Sequence, residues 1–197
     1  SSIALNWIFD DGNSGVVTNT ITIAVTTIND PAEITASIGG TYTEGGSPLS
    51  FITSTSVVDP DAVNFNTGSL QVNLTTWVRG DSISIVSGGD ITTSGSDVLY
   101  QSNKIGTFTG GSNSNPLVVS FTTSNATPTA VNALLNALTF QNSSSSPSNF
   151  GARLTPSVTI TLNDGGNSGA TGGSQTTTLS GSFTIADINN APTLTGV

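Results

Sequence analysis

Two short acidic segments follow stretches of alternating apolar and polar residues, at points where predicted strands end. Asp59 and Asp61 flank Pro60, and Asn29 and Asp30 lie in the other segment, directly before a proline. Calcium binds six to eight oxygen atoms from carboxylates, amides and carbonyls. If the two segments meet in the fold, three carboxylates and one amide converge. The sequence therefore predicts a calcium site at these four residues.

A second candidate calcium site involves side chains that are far apart in the sequence. Its predicted ligands are Glu44, Asp164, Asp187 and Asn189. Asp and Asn also form turns and cap backbone groups without any metal. This alternative stays open for both candidate sites.

The charge balance excludes several classes of partner. The chain has three basic and twelve acidic residues and a net charge of −9. Phosphate recognition needs clustered Lys and Arg, so nucleic acid is not an expected partner. No apolar run reaches the roughly 20 residues that span a bilayer, so membrane insertion is not expected either.

The residue types also argue against an enzyme. The chain has no His and no Cys, so catalytic triads and zinc sites that need them are not available. Paired carboxylates could hydrolyse glycosides, but the acids lie beside turns and nothing in the sequence marks a cleft. We therefore expect no enzymatic activity.

The tryptophans raise one alternative function. Trp7 alternates with core positions, which predicts that it is buried, whereas Trp77 is out of phase with Leu70, Val72 and Leu74 and could be exposed. Aromatic faces suit sugar stacking. A carbohydrate-binding module that contacts polysaccharide through exposed aromatics is therefore the alternative to a structural role.

Parts of the chain repeat. Residues 21–32 and 181–192 both end an alternating stretch in Ile-Asn-Asn/Asp followed closely by Pro, and the turn at residues 10–15 recurs at residues 164–169. Internal repetition at a long, fixed spacing indicates modules in series. We expect three parts: residues 1–30, the last hairpin of a preceding repeat; residues 31–190, one complete repeat; and residues 191–197, the start of the next.

Short alternating stretches separated by Gly, Asn and Ser dominate the complete repeat, which predicts strands. One helix is predicted over residues 128–137. Thr127 suits its N-cap, Pro128 its first turn, and the apolar residues that follow have helical spacing. Many short strands and one short helix predict an all-β, immunoglobulin-like β-sandwich.

Seven strings cover nearly the whole repeat and together are similar to one known family. They are TYTEGGSPL (41–49), VVDPDAVNFNTGSLQVNL (57–74), GDSISI (80–85), KIGTFTGG (104–111), ATPTAVNALLNALTFQNSS (126–144), VTITLNDGG (158–166) and ADINNAP (186–192). As a set they resemble the cadherin-like repeats of giant bacterial surface adhesins, common in cyanobacteria and proteobacteria.

The resemblance implies a cadherin-like sandwich in a tandem array outside the cell or on its surface, with calcium at the joints and a structural or adhesive role. It assigns joint positions to Glu44, Asp59, Asp61, Asp187, Asn189 and Asn190. The joint at residues 27–30 departs from the pattern, because Thr27 stands where the joint at residues 187–190 has Asp187. The family's Asp-Arg-Glu string is also missing.

The hairpin predicted in residues 1–30 would be marginal on its own, because two strands alone bury little surface. It either belongs to a longer array in one polypeptide or completes the sheet of a neighbouring subunit by strand addition. Both arrangements place modules head to tail, with neighbouring repeats or identical subunits as partners. We predict a structural or adhesive module of an extracellular bacterial surface protein or filament.

Overall fold

The computed structural model describes residues 1–166 and 171–191, and most of its regular structure is β-strand. The elements are β1 Ser2–Asp10, β2 Val16–Ala24, β3 Glu33–Ile38, β4 Thr41–Thr43, β5 Ile52–Val58, β6 Ser69–Leu74, β7 Asp81–Ile85, β8 Ile91–Ser94, β9 Asp97–Tyr100, β10 Asn103–Thr109, β11 Leu117–Phe121, α1 Pro128–Asn136, β12 Leu138–Asn142, β13 Ser157–Asn163, β14 Thr176–Ser182 and β15 Thr184–Ala186. The predicted all-β class with one short helix is confirmed. In this part of the chain, no helix has the length and apolar character needed to cross a bilayer.

Two sequence predictions fall on residues that are not described. Of the predicted beginning of a further repeat at residues 191–197, only Ala191 lies within the described residues. Residues 167–170 of the repeated turn also lie outside them.

One layer of the sandwich is a seven-stranded antiparallel sheet with the strand order β14-β13-β6-β11-β10-β9-β8. Alternate side chains of a strand point to opposite faces of its sheet. In β6, Leu70, Val72 and Leu74 are therefore fully buried, while Gln71 between them is exposed. The alternation seen in the sequence is the alternation between core and solvent.

The opposite layer consists of three short pairs: β3 with β5, β7 with β12, and β4 with β15. Helix α1 packs on β5, and its side chains join the common core. The Thr127 hydroxyl accepts a hydrogen bond from the Ala130 N–H at 3.2 Å, which caps the helix. Val131, Leu134 and Leu135 are buried. The predicted helix is confirmed, and it ends one residue earlier than expected, at Asn136.

The first strand of the sandwich changes its partner part-way along. β3 pairs with β5, and after Gly40 the chain continues as β4 beside β15. Gly40 has a φ of 96°, and a Cβ there would lie 2.9 Å from a methyl group of Leu49. A side chain is strained in that conformation, so the change of partner needs glycine.

This strand crosses the sandwich from one end to the other. Near its start, the Ala32 carbonyl accepts a hydrogen bond from Thr177, and at the switch the Gly40 carbonyl accepts one from the Thr184 N–H at 2.9 Å. We call the end that carries residues 29–31, 59–61 and 164–166 the N-terminal pole. The end that carries residue 44, residues 143–154 and residues 187–190 is the C-terminal pole. The chain arrives at one pole and departs from the other.

Two strand predictions need correction. β8 was not predicted, because its sequence, ITTS, has one apolar residue and so shows no alternation; Ile91 is nevertheless buried. The alternation over residues 176–188 predicts a single strand, but the structure has two strands there, which break at the buried Phe183. The break lets β14 pair with β13, while β15 joins β4 in the other layer.

The predicted N-terminal hairpin is present, and β1 and β2 pair antiparallel along their whole length. All of its residues are exposed. Trp7, predicted to be buried, is 45% exposed, so that prediction is wrong for the described structure. The physical reason is that β1 and β2 contact each other, and no other described element packs on either face of the hairpin.

Candidate functional site

The structure places the four residues of the first candidate site at the same end of the sandwich, the N-terminal pole, and joins Asp30 directly to Asp61. The Asp61 carboxylate accepts a hydrogen bond from the Asp30 N–H at 2.6 Å. The Asp59 carboxylate folds back on its own turn and accepts the N–H groups of Asp61 at 2.9 Å and Ala62 at 2.7 Å. Asn29, next to Asp30 in the sequence, is buried and bonds to Asp164. The turn after β5 and the segment before β3 meet because β3 and β5 are antiparallel.

Two buried oxygen atoms at this pole lack a hydrogen-bond donor among the described residues. They are Oδ1 of Asn29 and Oδ2 of Asp59. The orientation of the Asn29 amide is set by its nitrogen, which donates to Asp164 Oδ2 at 2.8 Å and to the Gly173 carbonyl at 2.9 Å. A buried acceptor without a partner costs about 1–3 kcal/mol. The N-terminal pole therefore has unused acceptor capacity that suits a cation or a water molecule.

The prediction that Asp164 belongs with Glu44 and Asp187 is wrong. Asp164 follows β13 at the tip of the β13–β14 hairpin, where it bonds to Asn29 of the N-terminal pole. Its other oxygen accepts the N–H groups of Gly166 and Gln175, both at 2.8 Å. Because β14 runs back from this tip and β15 continues in the same direction, Asp187 lies at the opposite pole.

The C-terminal pole has a different arrangement, in which the acceptors already have donors. Glu44 Oε2 accepts the Ile188 N–H at 2.9 Å, and Glu44 Oε1 accepts the Asn190 side-chain amide at 2.6 Å. The parallel pairing of β4 with β15 places Glu44 beside this departing segment. Asn189, a predicted ligand, is exposed, and Asn190 supplies the amide at the cluster instead.

We expect Glu44→Ala to release the departing segment. Hydrogen bonds to charged groups contribute about 1.5–3 kcal/mol, so the Ile188 amide should exchange with solvent at least about tenfold faster. Hydrogen exchange measured by NMR checks this. Glu33→Ala, an exposed glutamate at the other pole, is the matched control and should leave Ile188 unchanged. Equal Ile188 exchange in Glu44→Ala and the unsubstituted chain would contradict the role of Glu44.

Asp187 is held by the loop over residues 143–156. The N–H of Ser148 donates to Asp187 Oδ1 at 3.1 Å, and the Ser148 hydroxyl donates to Asp187 Oδ2. The same hydroxyl accepts the Gly151 N–H at 2.7 Å. The loop therefore connects the departing strand to the body of the sandwich.

A buried ion pair that the sequence analysis did not find anchors this loop. Arg153 forms a bidentate pair with Asp81, with nitrogen–oxygen distances of 2.7 and 2.9 Å. The guanidinium also donates to the carbonyls of Thr76 and Pro147, and Asn142 donates to Asp81 at 2.7 Å. Asp81 resembled an ordinary turn residue. The one available signal was that Arg153 is among only three basic residues in the chain.

Trp77 does not present its ring as an exposed platform for a sugar. The indole N–H of Trp77 donates to Asn73 Oδ1 at 3.0 Å, and its ring is half-buried against the core. The predicted exposure of Trp77 is therefore wrong. Trp77 lies in the turn that follows β6, and this turn brings its ring back over Asn73 of that strand.

Carboxylates alone do not complete a metal site. Within residues 1–166 and 171–191, no group of three or more acidic side chains could hold a metal ion. A calcium site at the N-terminal pole would need the Asn29 amide, backbone carbonyls or water as further ligands. These are ordinary calcium ligands.

No family model matches the chain, and no curated protein matches it in sequence. One solved structure with some similarity is the crystal structure of AggA, the major subunit of aggregative adherence fimbriae type I from Escherichia coli. The two chains are 15% identical, the match covers 83% of this chain and 100% of AggA, and the TM-score is 0.35. That score is too low to indicate a shared fold.

Proposed function

We propose that this chain is a structural module of an extracellular bacterial surface protein or filament, in which similar sandwiches are joined head to tail. The observation that carries the proposal is the polarity of the sandwich. The chain reaches the sandwich at one pole through Ile28-Asn29 and departs from the other through Ile188-Asn189. A module with this path extends an array along its long direction. The resemblance to cadherin-like adhesin repeats supports the extracellular, bacterial setting.

The proposal is tested by the dimensions of arrays of increasing length. Chains with one, two and three copies of residues 31–190 in series should gain a constant increment of maximum dimension for each copy, measured by small-angle X-ray scattering. Each module then contacts its neighbours alone, as in other repeat proteins. A maximum dimension that grows as for a compact particle would contradict the proposal.

We further propose that calcium binds at the N-terminal pole and stiffens the joint there. The two unpartnered oxygens, on Asn29 and Asp59, support this assignment, together with the carboxylates of Asp30 and Asp61. Hard cations favour such oxygen ligands. At the C-terminal pole, a cation would instead have to displace the donors that Glu44 already holds.

Calcium should therefore stabilise the chain, and Asp59→Asn should remove most of that effect. At a calcium concentration of one hundred times Kd, mass action adds about 2.7 kcal/mol, or about 5–10 °C in Tm. Thermal melts in calcium and in chelator measure this. Asp90→Asn, an exposed aspartate away from both poles, is the matched control. A calcium-dependent Tm that is equal in Asp59→Asn and Asp90→Asn would exclude the N-terminal pole as the site.

A further inference from the structure

The hairpin formed by β1 and β2 has one strongly apolar face that is exposed. Leu5, Trp7 and Phe9 lie on this face of β1, and Val17 and Ile21 lie opposite Phe9 and Leu5 on β2. All five side chains are between 45% and 61% exposed. A face of this kind marks an interaction surface. The β13–β14 hairpin of the same chain indicates what kind of partner packs against this face.

The hairpin repeats the strand pairing of the β13–β14 hairpin, including the hydrogen bonds of the aspartate that follows the first strand. The Asp11 N–H donates to the Gly15 carbonyl at 3.0 Å, and Asp11 Oδ1 accepts the Asn13 N–H at 2.8 Å. In the same way, the Asp164 N–H donates to the Gln175 carbonyl at 3.1 Å while its Oδ1 accepts the N–H two residues on. Asp11 is therefore the counterpart of Asp164, one residue away from the match suggested by the repeated sequence.

The strand registers agree with this equivalence. Asp10 pairs with Val16 as Asn163 pairs with Thr176. It follows that Leu5, Trp7 and Phe9 are the counterparts of Val158, Ile160 and Leu162, all three fully buried. In the sandwich, those three residues of β13 lie opposite Leu74, Val72 and Leu70 of β6.

We propose that the β1–β2 hairpin completes a second sandwich of the same architecture, whose β6-type strand pairs with the free edge of β1. This proposal rests on the proposed head-to-tail arrangement and names the surface that joins the modules. The register is specific: Phe9 lies opposite the counterpart of Leu70, Trp7 opposite that of Val72, and Leu5 opposite that of Leu74.

The partner sandwich is not identical to residues 31–190. Ile21 is the counterpart of Gly181, where an added Cβ would lie 2.6 Å from the Ile38 side chain. The nearest atom is the Cβ of Ile38, so the partner needs a glycine in place of Ile38. Trp7 is the counterpart of Ile160, and its cross-strand neighbour Asn19 is the counterpart of Leu179. The hairpin therefore has one larger and one smaller side chain where the sandwich has two side chains of middle size. These differences also prevent the hairpin from displacing β13–β14 of another identical chain.

The experiment places residues 31–153 of a second copy, carrying Ile38→Gly, directly before Ser1 of the full chain. This junction preserves the repeat spacing, because Ser1 is the counterpart of Leu154. Hydrogen exchange by mass spectrometry should show deuterium uptake in residues 2–24 falling to the level of β13 and β14. The same extension with Ile38 retained should protect these residues less.

A disulfide tests the register in a chain that has no cysteine of its own. Ile8→Cys should crosslink with Gln71→Cys of the added copy, because Thr161, the counterpart of Ile8, pairs with Gln71 in the sandwich. Thr161→Cys with Gln71→Cys in the original module is the geometric control. The proposal is overturned if the control forms a disulfide and the test pair does not, if uptake in residues 2–24 stays unchanged, or if the added copy remains unfolded.

Two further outcomes separate this proposal from others. A concentration-dependent dimer of the unextended full chain, with residues 2–24 protected, would assign the face to an identical copy and contradict the proposal. All measurements are repeated in chelator, because docking of the hairpin does not require calcium. If the hairpin docks but arrays of residues 31–190 stay compact, the proposed function is contradicted and this inference stands. If the arrays are extended but the hairpin does not dock, this inference is overturned and the proposed function stands.

Discussion

Asp81→Ala is expected to lower the free energy of unfolding by about 3–5 kcal/mol, because it leaves the Arg153 guanidinium buried without a counter-charge. The variant also removes the acceptor of the Val78 N–H, which lies 2.7 Å from Asp81 Oδ2. Both side chains of the ion pair are less than a tenth exposed, so water cannot replace the lost carboxylate. Urea unfolding measures the change.

An exposed ion pair in the same protein provides the control. Asp97 and Lys104 are 2.7 Å apart, with both side chains about two-fifths exposed. Asp97→Ala should cost less than about 1 kcal/mol, as is usual for surface pairs. Replacing Asp81 by Leu and Arg153 by Met together should cost less than Asp81→Ala alone, since no buried charge is left unpaired. Equal losses in Asp81→Ala and Asp97→Ala would show that the buried pair does not anchor the loop.

Phe140→Ala should destabilise the chain by about 3–5 kcal/mol, through lost burial and the cavity left behind. Phe140 is fully buried in β12 and contacts two other rings, Tyr42 with centroids 5.3 Å apart and Phe183 at 4.7 Å. Tyr42 belongs to β4, and Phe183 lies directly before β15. The ring therefore joins the two strands that carry Glu44 and Asp187. Urea unfolding reports the loss of stability.

The same variant should disturb the C-terminal pole before global unfolding. Amides of residues 186–188 should exchange faster in Phe140→Ala than the change in global stability explains, because β4 and β15 lose their shared support. Phe150→Ala is the control: Phe150 is 91% exposed, and its removal should change stability by less than about 0.5 kcal/mol. If Phe140→Ala and Phe150→Ala behaved alike, the aromatic cluster would not support the pole.

The two poles differ in whether their side-chain oxygens already have hydrogen-bond donors. Hydrogen bonds from the protein itself satisfy Glu44 and Asp187 at the C-terminal pole, and the Arg153–Asp81 pair holds the loop that reaches Asp187. At the N-terminal pole, Asn29 and Asp59 keep buried oxygens without donors among the described residues. In the proposed array with calcium bound, a joint between modules would combine one side whose acceptors already have donors with one side that binds the cation.

Local patterns in the sequence predicted much of this architecture. Alternation predicted β6 and β13, and Thr127-Pro128 with helical spacing predicted α1, because these signals lie within a few residues of one another. The predicted calcium site required the segment of Asp30 to meet the Asp59–Asp61 turn, and the Asp30 N–H does bond to the Asp61 carboxylate. The repeated Ile-Asn strings also predict a division of the chain into modules, which stays a prediction.

Contacts between distant parts of the chain were decided by the tertiary structure alone. Arg153 and Asp81 are 72 residues apart, and no local pattern indicates that they meet. Strand direction placed Asp164 at the N-terminal pole, although its sequence suggested the other site. The exposure of Trp7 and the partial burial of Trp77 likewise depend on which surfaces pack together. Side-chain types and spacing determine strands and turns, whereas the pairing of strands determines which acids share a pole and which remain without a partner.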